Sequence, residues 1–363
     1  MTTRSIARLS IGLLFCASLN SLTNAQTFPR PLTFAAAPGE AIKDQSEIGV
    51  GHFVDISKDL APGSNPSGSW WFSGYFHSHG EKFGYLYHLM IVPGADKSML
   101  FQTISVTEVS TGKHVSDSQI YPLDQAKVER ERLEIATPSS SVSGDLNEMR
   151  ITANSGEVHL NLLLKAASHA LFNGAVGYFP FMAGPPNYEF GIPQMATMGT
   201  ITIGGATHQV QGGSTWFDRQ WSVPTGKSDS FDLTKVKWSW FGINLKNGDA
   251  LSVWSFFDPK IGRQRQFADI LHQDGSHSTV VVHATPTGKA WKSPKTNKEY
   301  PLNWRLDIPQ LHTRLLISSV VNDQEISTPV LGGGYYQGVS NVSGIYQGRK
   351  TAGVARLELL GNW

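Results

Sequence analysis

Beyond the first 25 residues, apolar and polar positions alternate with a period of two in one segment after another, and helical periodicity is nearly absent. From Val158 to Leu164 the apolar set Val158, Leu160, Leu162 and Leu164 lies on one face, while His159 and Asn161 lie on the other, as a half-buried strand requires. The end of the chain repeats this pattern. Ala355, Leu357 and Leu359 point one way, Arg356 and Glu358 the other, and Gly361-Asn362 closes the run. Lys246-Asn247-Gly248-Asp249 and Gln273-Asp274-Gly275-Ser276 carry hairpin-turn chemistry. Strands so spaced, with no helical segments between them, predict an all-β protein of antiparallel meanders.

Two segments qualify this picture. Leu123 to Leu133 is dense in charge, with Asp124, Lys127, Glu129, Arg130, Glu131 and Arg132, and reads as a solvated turn or edge strand. Phe179 to Pro193 contains Pro180, Pro185, Pro186 and Pro193. Proline lacks the ladder donor, so this stretch is expected to be a long connection and not a central strand. Strand character resumes over Met198 to Ile203, and the glycine pairs 204–205 and 212–213 precede an aromatic-rich block.

The 363 residues exceed one comfortable β-sandwich. Two β-barrel or sandwich domains are expected, over residues 26–208 and 209–363. Residues 1–25 read as a signal peptide: Arg4 and Arg8, the apolar run Ile11 to Ala17, then Thr23-Asn24-Ala25 as a cleavage site. Export to the secretory lumen, or to the periplasm of a bacterium, follows, with no membrane span left after cleavage. Cys16 is the only cysteine, so the mature chain would hold no disulfide and no thiolate site. Asn341-Val342-Ser343 is a glycosylation triplet.

Thirty Lys and Arg balance 29 Asp and Glu, which leaves no basic footprint for nucleic acid. Phosphate loops, zinc helices, nucleophile elbows and dinucleotide fingerprints are absent from the sequence. His77 and His79 would share one strand face beside Gly80, but the reading is an exposed hairpin tip, and no metal is assigned. The densest chemistry is Thr215-Trp216-Phe217-Asp218-Arg219-Gln220-Trp221, followed by Trp238-Ser239-Trp240-Phe241. An aspartate between large aromatics is placed where desolvation holds it protonated for acid work. The competing reading pairs Asp218 with Arg219 as a structural anchor.

Those two blocks, with Tyr188-Glu189-Phe190, Tyr300-Pro301-Leu302-Asn303-Trp304, Asp323-Gln324-Glu325, Tyr335-Tyr336-Gln337-Gly338 and the closing Gly353 to Trp363 strand, resemble the AttH-like family. That family takes in carotenoid 1,2-hydratases and fungal kievitone hydratase. The resemblance implies two linked lipocalin-like (calycin-like) domains, an apolar pocket between or within them, and no cofactor. It offers Asp218, Glu189 and Glu325 as acids, Trp216, Trp238, Trp240 and Tyr335 as walls, and His272 and His88 as proton shuttles. Gln337 stands where the family often has glutamate, so a mechanism using that carboxylate fails here, and Gln337 and His88 are expected among the substrate-binding residues, the glutamine by hydrogen bonding to a polar substrate. The expected function is acid-promoted hydration or cyclisation of an isoprenoid or polyketide moiety in secondary metabolism. A pericyclase and a non-catalytic binder of an apolar ligand are the alternatives.

Overall fold

The structure is a computed structural model. It describes residues 54–63, 67–94, 97–180, 186–222, 237–258, 262–328 and 333–363. The signal-peptide reading and Cys16 lie outside the described residues. The described chain is mostly strand, in two large antiparallel sheets and one small two-stranded one. No helix among the described residues is long and apolar enough to cross a membrane.

The first sheet runs, in spatial order, through Lys113–Pro122, Met99–Glu108, Glu81–Val92, Gly68–Ser78, Gln211–Ser222, Pro186–Ile203, Val158–Ala166 and Met149–Ser155, and continues to the short strands ending at Lys127–Val128. The second runs from His277–Val281 through Arg263–Leu271, Ala250–Asp258, Trp238–Leu245, Arg349–Leu360, Tyr335–Tyr346, Thr313–Ser319 and Asn303–Ile308 to His283–Pro286. Both hairpin turns read from the sequence are present: 245 to 250 joins two paired strands, and 271 to 277 joins the next two. The charged segment forms a 3-10 turn at Leu123–Gln125 and the edge strands Lys127–Val128 and Leu133–Ala136.

The proline-rich segment departs from expectation. Pro186–Ile203 is a single long strand in the middle of the first sheet. Pro186 is its first residue, and Pro193 falls where the register shifts between Ile192 and Met195. A strand start and a bulge are the two places where a missing amide hydrogen breaks no ladder bond.

Each sheet buries one face over its own core. Trp70, Phe72, Tyr87, Leu160, Phe190 and Phe217 are among the residues filling the first. Phe241, Val253, Trp304, Leu315, Leu357 and Leu359 are among those filling the second. The opposite faces meet each other. That junction is a third apolar cluster, which includes Trp71, Leu86, Trp216, Trp240, Trp254, Tyr335 and Leu360. Side chains that alternation assigns to the outside of each sheet are therefore buried as well.

Arg356 fixes the junction. Fully buried, it donates through Nε to the Ser73 carbonyl and through Nη2 to the Ser214 carbonyl in the first sheet, each at 3.1 Å. Its Nη1 donates to Asn244 Oδ1 in the second sheet. Asn244 in turn donates from Nδ2 to the Pro193 carbonyl at 3.1 Å, across to the first sheet. A buried cation is costly unless its donors are satisfied, and these three acceptors hold it in place.

Candidate active site

The junction between the sheets contains a cavity of about 120 Å3, lined by Ser69, Trp71, His88, Met90, Glu189, Asp218, Gln220, Trp238, Trp240, Trp254, Tyr335, Glu358 and Leu360. Register explains the set. On the first sheet Met90, Ser69, Gln220 and Glu189 form one cross-strand row, and His88, Trp71, Asp218 and Gly191 form the next. Residues two apart on a strand share a face, so 69 and 71, 88 and 90, and 218 and 220 all look into the same space. On the second sheet Trp240 stands opposite Trp254 on one side and Glu358 on the other, with Trp238 opposite Leu360. The pocket is between the two sheets, not inside either core.

Its walls are indoles. Trp240 is the hub: Trp71 meets it edge-on at 5.0 Å between ring centres, Trp216 edge-on at 5.5 Å, and Trp254 lies tilted at 6.3 Å. Trp240 Nε1 donates to Ser252 Oγ at 2.9 Å, which fixes the ring. Gly242 makes the ring's position possible, because a Cβ there would come within 2.4 Å of the Trp240 ring.

Three carboxyl groups enter this aromatic space, and each is met by a single uncharged donor. Trp216 Nε1 donates to Asp218 Oδ1 at 2.7 Å. Gln220 Nε2 donates to Glu189 Oε2 at 3.0 Å. Trp238 Nε1 donates to Glu358 Oε1 at 2.6 Å. None of the three forms an ion pair among the described residues. Asp218 sits directly opposite Gly191, where a Cβ would fall 2.3 Å from Oδ1 and 3.3 Å from Trp216 Nε1. The glycine is thus a seat for the carboxyl and its indole donor.

Burial without a counter-charge decides the protonation states. Desolvation pushes Asp218 up to about 8, Glu358 adding to the rise while the Trp216 hydrogen bond and Arg356 oppose it. Glu358 is raised to about 7, again by desolvation, with the Trp238 bond acting against it. Glu189 is raised well above the ordinary range by desolvation and by the charges of Asp218, Glu358 and Asp269. His88 is pushed down to about 4 by burial, so near neutrality it is an uncharged imidazole. Its Nε2 and the Nε1 of Trp71 are buried in the cavity wall with no hydrogen-bond partner.

The expected pairing of Asp218 with Arg219 does not occur. Adjacent strand residues face opposite ways, and Arg219 turns into the first core, 4.1 Å over the Trp70 ring and 4.8 Å over Trp221. Its Nε donates to the Asp59 carbonyl at 3.0 Å and its Nη1 to the Gln220 carbonyl at 2.7 Å.

Of the residues proposed from sequence, Asp218, Glu189, His88, Trp238, Trp240 and Tyr335 line the cavity, and Trp216 holds Asp218 from behind. Glu325 lies elsewhere, fully buried and accepting from Ser293 Oγ, from Thr296 Oγ1 at 2.5 Å and from the Tyr300 hydroxyl at 2.7 Å. His272 is also remote, its ring bridging Asp249 Oδ2 at 3.1 Å and Ser278 Oγ at 2.9 Å beside a hairpin. Gln337 faces a separate small space shared with Ser73, Thr107 and Gln324, and both its amide atoms lack partners. Asn341 is exposed on the Tyr335–Tyr346 strand, and His77 and His79 are exposed at a hairpin tip. The sequence reading missed Trp71, Trp254, Gln220 and Glu358. Glu358 was legible as the polar partner of Leu357 and Leu359, but that face appeared to be solvated. Among the described residues no group of three His, Cys, Asp or Glu is placed to hold a metal ion.

The site can therefore present a protonated carboxyl, a second carboxyl that ionises near neutrality, and a wall of ring faces. Comparison with known proteins places the chain in a family. Kievitone hydratase of Fusarium solani subsp. phaseoli is 25% identical over 309 residues, 82% of this chain and 83% of that protein. A crystal structure of kievitone hydratase from Nectria haematococca superposes with a TM-score of 0.75 at 23% identity, covering 85% of this chain and 93% of that one. Dehydratase asqC of Emericella nidulans is 26% identical over 223 residues, 58% of this chain and 61% of that protein. The family model described as AttH-like matches residues 51–362, and the chain belongs to the AttH-like family.

Proposed function

We propose that the protein is a hydro-lyase that adds water to, or removes it from, a small uncharged secondary metabolite of isoprenoid or polyketide origin, with Asp218 as the acid. One observation carries the reading: a carboxyl that keeps its proton near neutrality faces an aromatic-walled cavity between the sheets. The relatives named as a hydratase and a dehydratase support the same reaction class.

Trp216 occupies Oδ1, which leaves Oδ2 to carry the proton. In the hydration direction Asp218 transfers that proton to an alkene carbon, forming a C–H bond and leaving a carboxylate. The cation on the adjacent carbon faces the Trp71, Trp240 and Trp254 rings, each attracting positive charge by ~0.5–2 kcal/mol. Water attacks the cation, and Glu358 on the opposite sheet takes the proton that water sheds. Dehydration runs the same steps backwards, and cyclisation replaces the water with a hydroxyl of the substrate. A base that ionises near 7 and an acid that ionises near 8 are both in their working forms only between those values.

The test is incubation of the full chain with a panel of prenylated phenols, kievitone included, in ordinary and deuterated water. Gain of one water mass, with one deuterium on carbon, and its loss in a folded Asp218→Asn variant are the expected results. Full turnover by that variant sinks the acid. A product isomeric with its substrate and free of deuterium on carbon sinks the hydro-lyase reading and favours a cycloaddition.

A further inference from the structure

The cavity combines several indole faces with carboxyl groups entering from both sheets, a pairing suited to a positive centre. Trp71, Trp238, Trp240 and Trp254 surround the space, and Glu189, Asp218 and Glu358 open into it. Arg356, the nearby cation among the described residues, is engaged by the Ser73 and Ser214 carbonyls and by Asn244. Trp71 is 5% exposed, and its Nε1 has no partner. That indole hydrogen needs an acceptor, so the occupant carries an oxygen as well.

From this geometry we infer that the cleft is a receptor for positive charge on an alkyl centre bearing a nearby hydroxyl, and that it binds small quaternary ammonium alcohols as stable likenesses of its carbocation. Ring quadrupoles attract such ions whether or not the positive atom is reactive, and ionised carboxylates across a dry cleft strengthen the attraction. Anionic ligands meet the same carboxylates as like charges.

Binding responds to pH through the groups that face the space. These are Glu189 from the Pro186–Ile203 strand, Asp218 from Gln211–Ser222, His88 from Glu81–Val92, Tyr335 from Tyr335–Tyr346, and Glu358 from Arg349–Leu360, with Arg356 behind them and Asp269 acting on Glu189. Over pH 6 to 8.5 His88 stays neutral, because burial lowers it to about 4, and Tyr335 stays neutral, because burial raises it. Glu358 and Asp218 ionise within that window, near 7 and 8. A permanent cation therefore gains affinity as pH rises, while an uncharged ligand of the same shape gains none.

Choline and 3,3-dimethylbutan-1-ol supply that comparison, since they share shape and hydroxyl and differ only in having nitrogen or carbon at the branched centre. Each is titrated into the full chain at about pH 6 and about pH 8.5, with quenching of tryptophan fluorescence as the readout. Choline is expected to bind about tenfold more tightly than the alcohol at the higher pH, with the preference shrinking several-fold at the lower. In Asp218→Asn and Glu358→Gln, checked for fold by circular dichroism, choline weakens and the alcohol does not. Equal binding of the two ligands at both pH values, no binding of either, or choline binding unchanged in both variants overturns the inference. It rests on the cleft being the reaction site, yet the two fail separately. Preference for choline alongside full turnover by Asp218→Asn retains the receptor and discards the acid, and acid-dependent turnover without that preference does the reverse.

Discussion

Replacing Asp218 by asparagine is expected to stop turnover and yet stabilise the protein near neutrality. An ordinary aspartate ionises at 3.8, and Asp218 holds its proton up to about 8. The folded form binds that proton more tightly than the unfolded chain. The cost of burying the group is therefore absent below 3.8 and grows as pH climbs toward 8, so stability falls with rising pH across that window. At pH 7 the foregone ionisation spans about three pH units, on the order of 4 kcal/mol at ~1.4 kcal/mol for each. Asparagine keeps an acceptor for Trp216 but brings an amide NH2 into the cleft, and an unsatisfied donor there costs ~1–3 kcal/mol. The net gain is on the order of 1–3 kcal/mol, or ~2–5 °C in melting temperature for a domain of this size. Thermal melts of wild type and variant at pH 5 and pH 8 read it directly. The variant should gain at pH 8, and most of the gain should vanish at pH 5. Equal destabilisation at both values would mean that Asp218 is ionised and paired in the folded protein, and the acid mechanism would fall with it.

Three further outcomes follow from the same geometry. Gly191→Ala puts a Cβ 2.3 Å from Asp218 Oδ1 and so displaces the carboxyl, and kcat should drop ~10- to 100-fold with KM little changed, as steady-state kinetics on an active substrate would show. In wild type kcat/KM should rise through about 7 as Glu358 ionises and fall through about 8 as Asp218 does, and Glu358→Gln should remove the acidic limb along with most of the rate. Glu325→Ala breaks three hydrogen bonds of a buried carboxyl group that does not line the cleft; urea melts should show a loss of ~2–4 kcal/mol, while the folded fraction keeps its wild-type kcat.

How far the sequence reaches depends on which side of a sheet is asked about. Val158 to Leu164 alternates in the structure as read, with 158, 160, 162 and 164 buried and 159 and 161 exposed, because one face of that strand meets solvent. In the strand Arg349–Leu360 the same alternation placed Leu357 and Leu359 correctly and misread Arg356 and Glu358, whose face is covered by the other sheet. No local pattern distinguishes a polar residue facing water from one facing a buried partner sheet; only the packing of two distant segments does. Asp218 was legible because indoles flank it in sequence. Trp71 and Trp254 were not, since the residues that surround them come from other strands: Trp71 meets Trp240 of the opposite sheet, and Trp254 meets Trp240 across a strand pair and Phe179 of the first sheet. Glu325 and His272 show the converse: both are functional residue types with a family motif or a hairpin beside them, and the structure satisfies each with local hydrogen bonds. The prolines misled because strand start and bulge are properties of pairing, not of composition.

A guanidinium acting on Asp218 would ordinarily neutralise it by pairing, and the protein is arranged so that it does not. Arg356 acts on Asp218 from a distance and lowers its proton affinity only against a larger desolvation effect, because its own donors are spent on two carbonyls and on Asn244. Asn244 thereby has two tasks: it ties the sheets together through the Pro193 carbonyl, and it keeps the positive charge turned away from the acid. Asn244→Ala frees one nitrogen of the guanidinium, and Asp218 is the nearby anion with which that nitrogen can pair. A carboxylate beside a freed cation loses its proton more readily, so the alkaline limb of kcat/KM, near 8 in wild type, should move to lower pH and the optimum should narrow. Loss of the inter-sheet tie alone would lower stability and leave the limb where it was. A variant that melts earlier with an unshifted alkaline limb would show that Arg356 is held by its carbonyls without help, and that the acid owes its proton to burial alone.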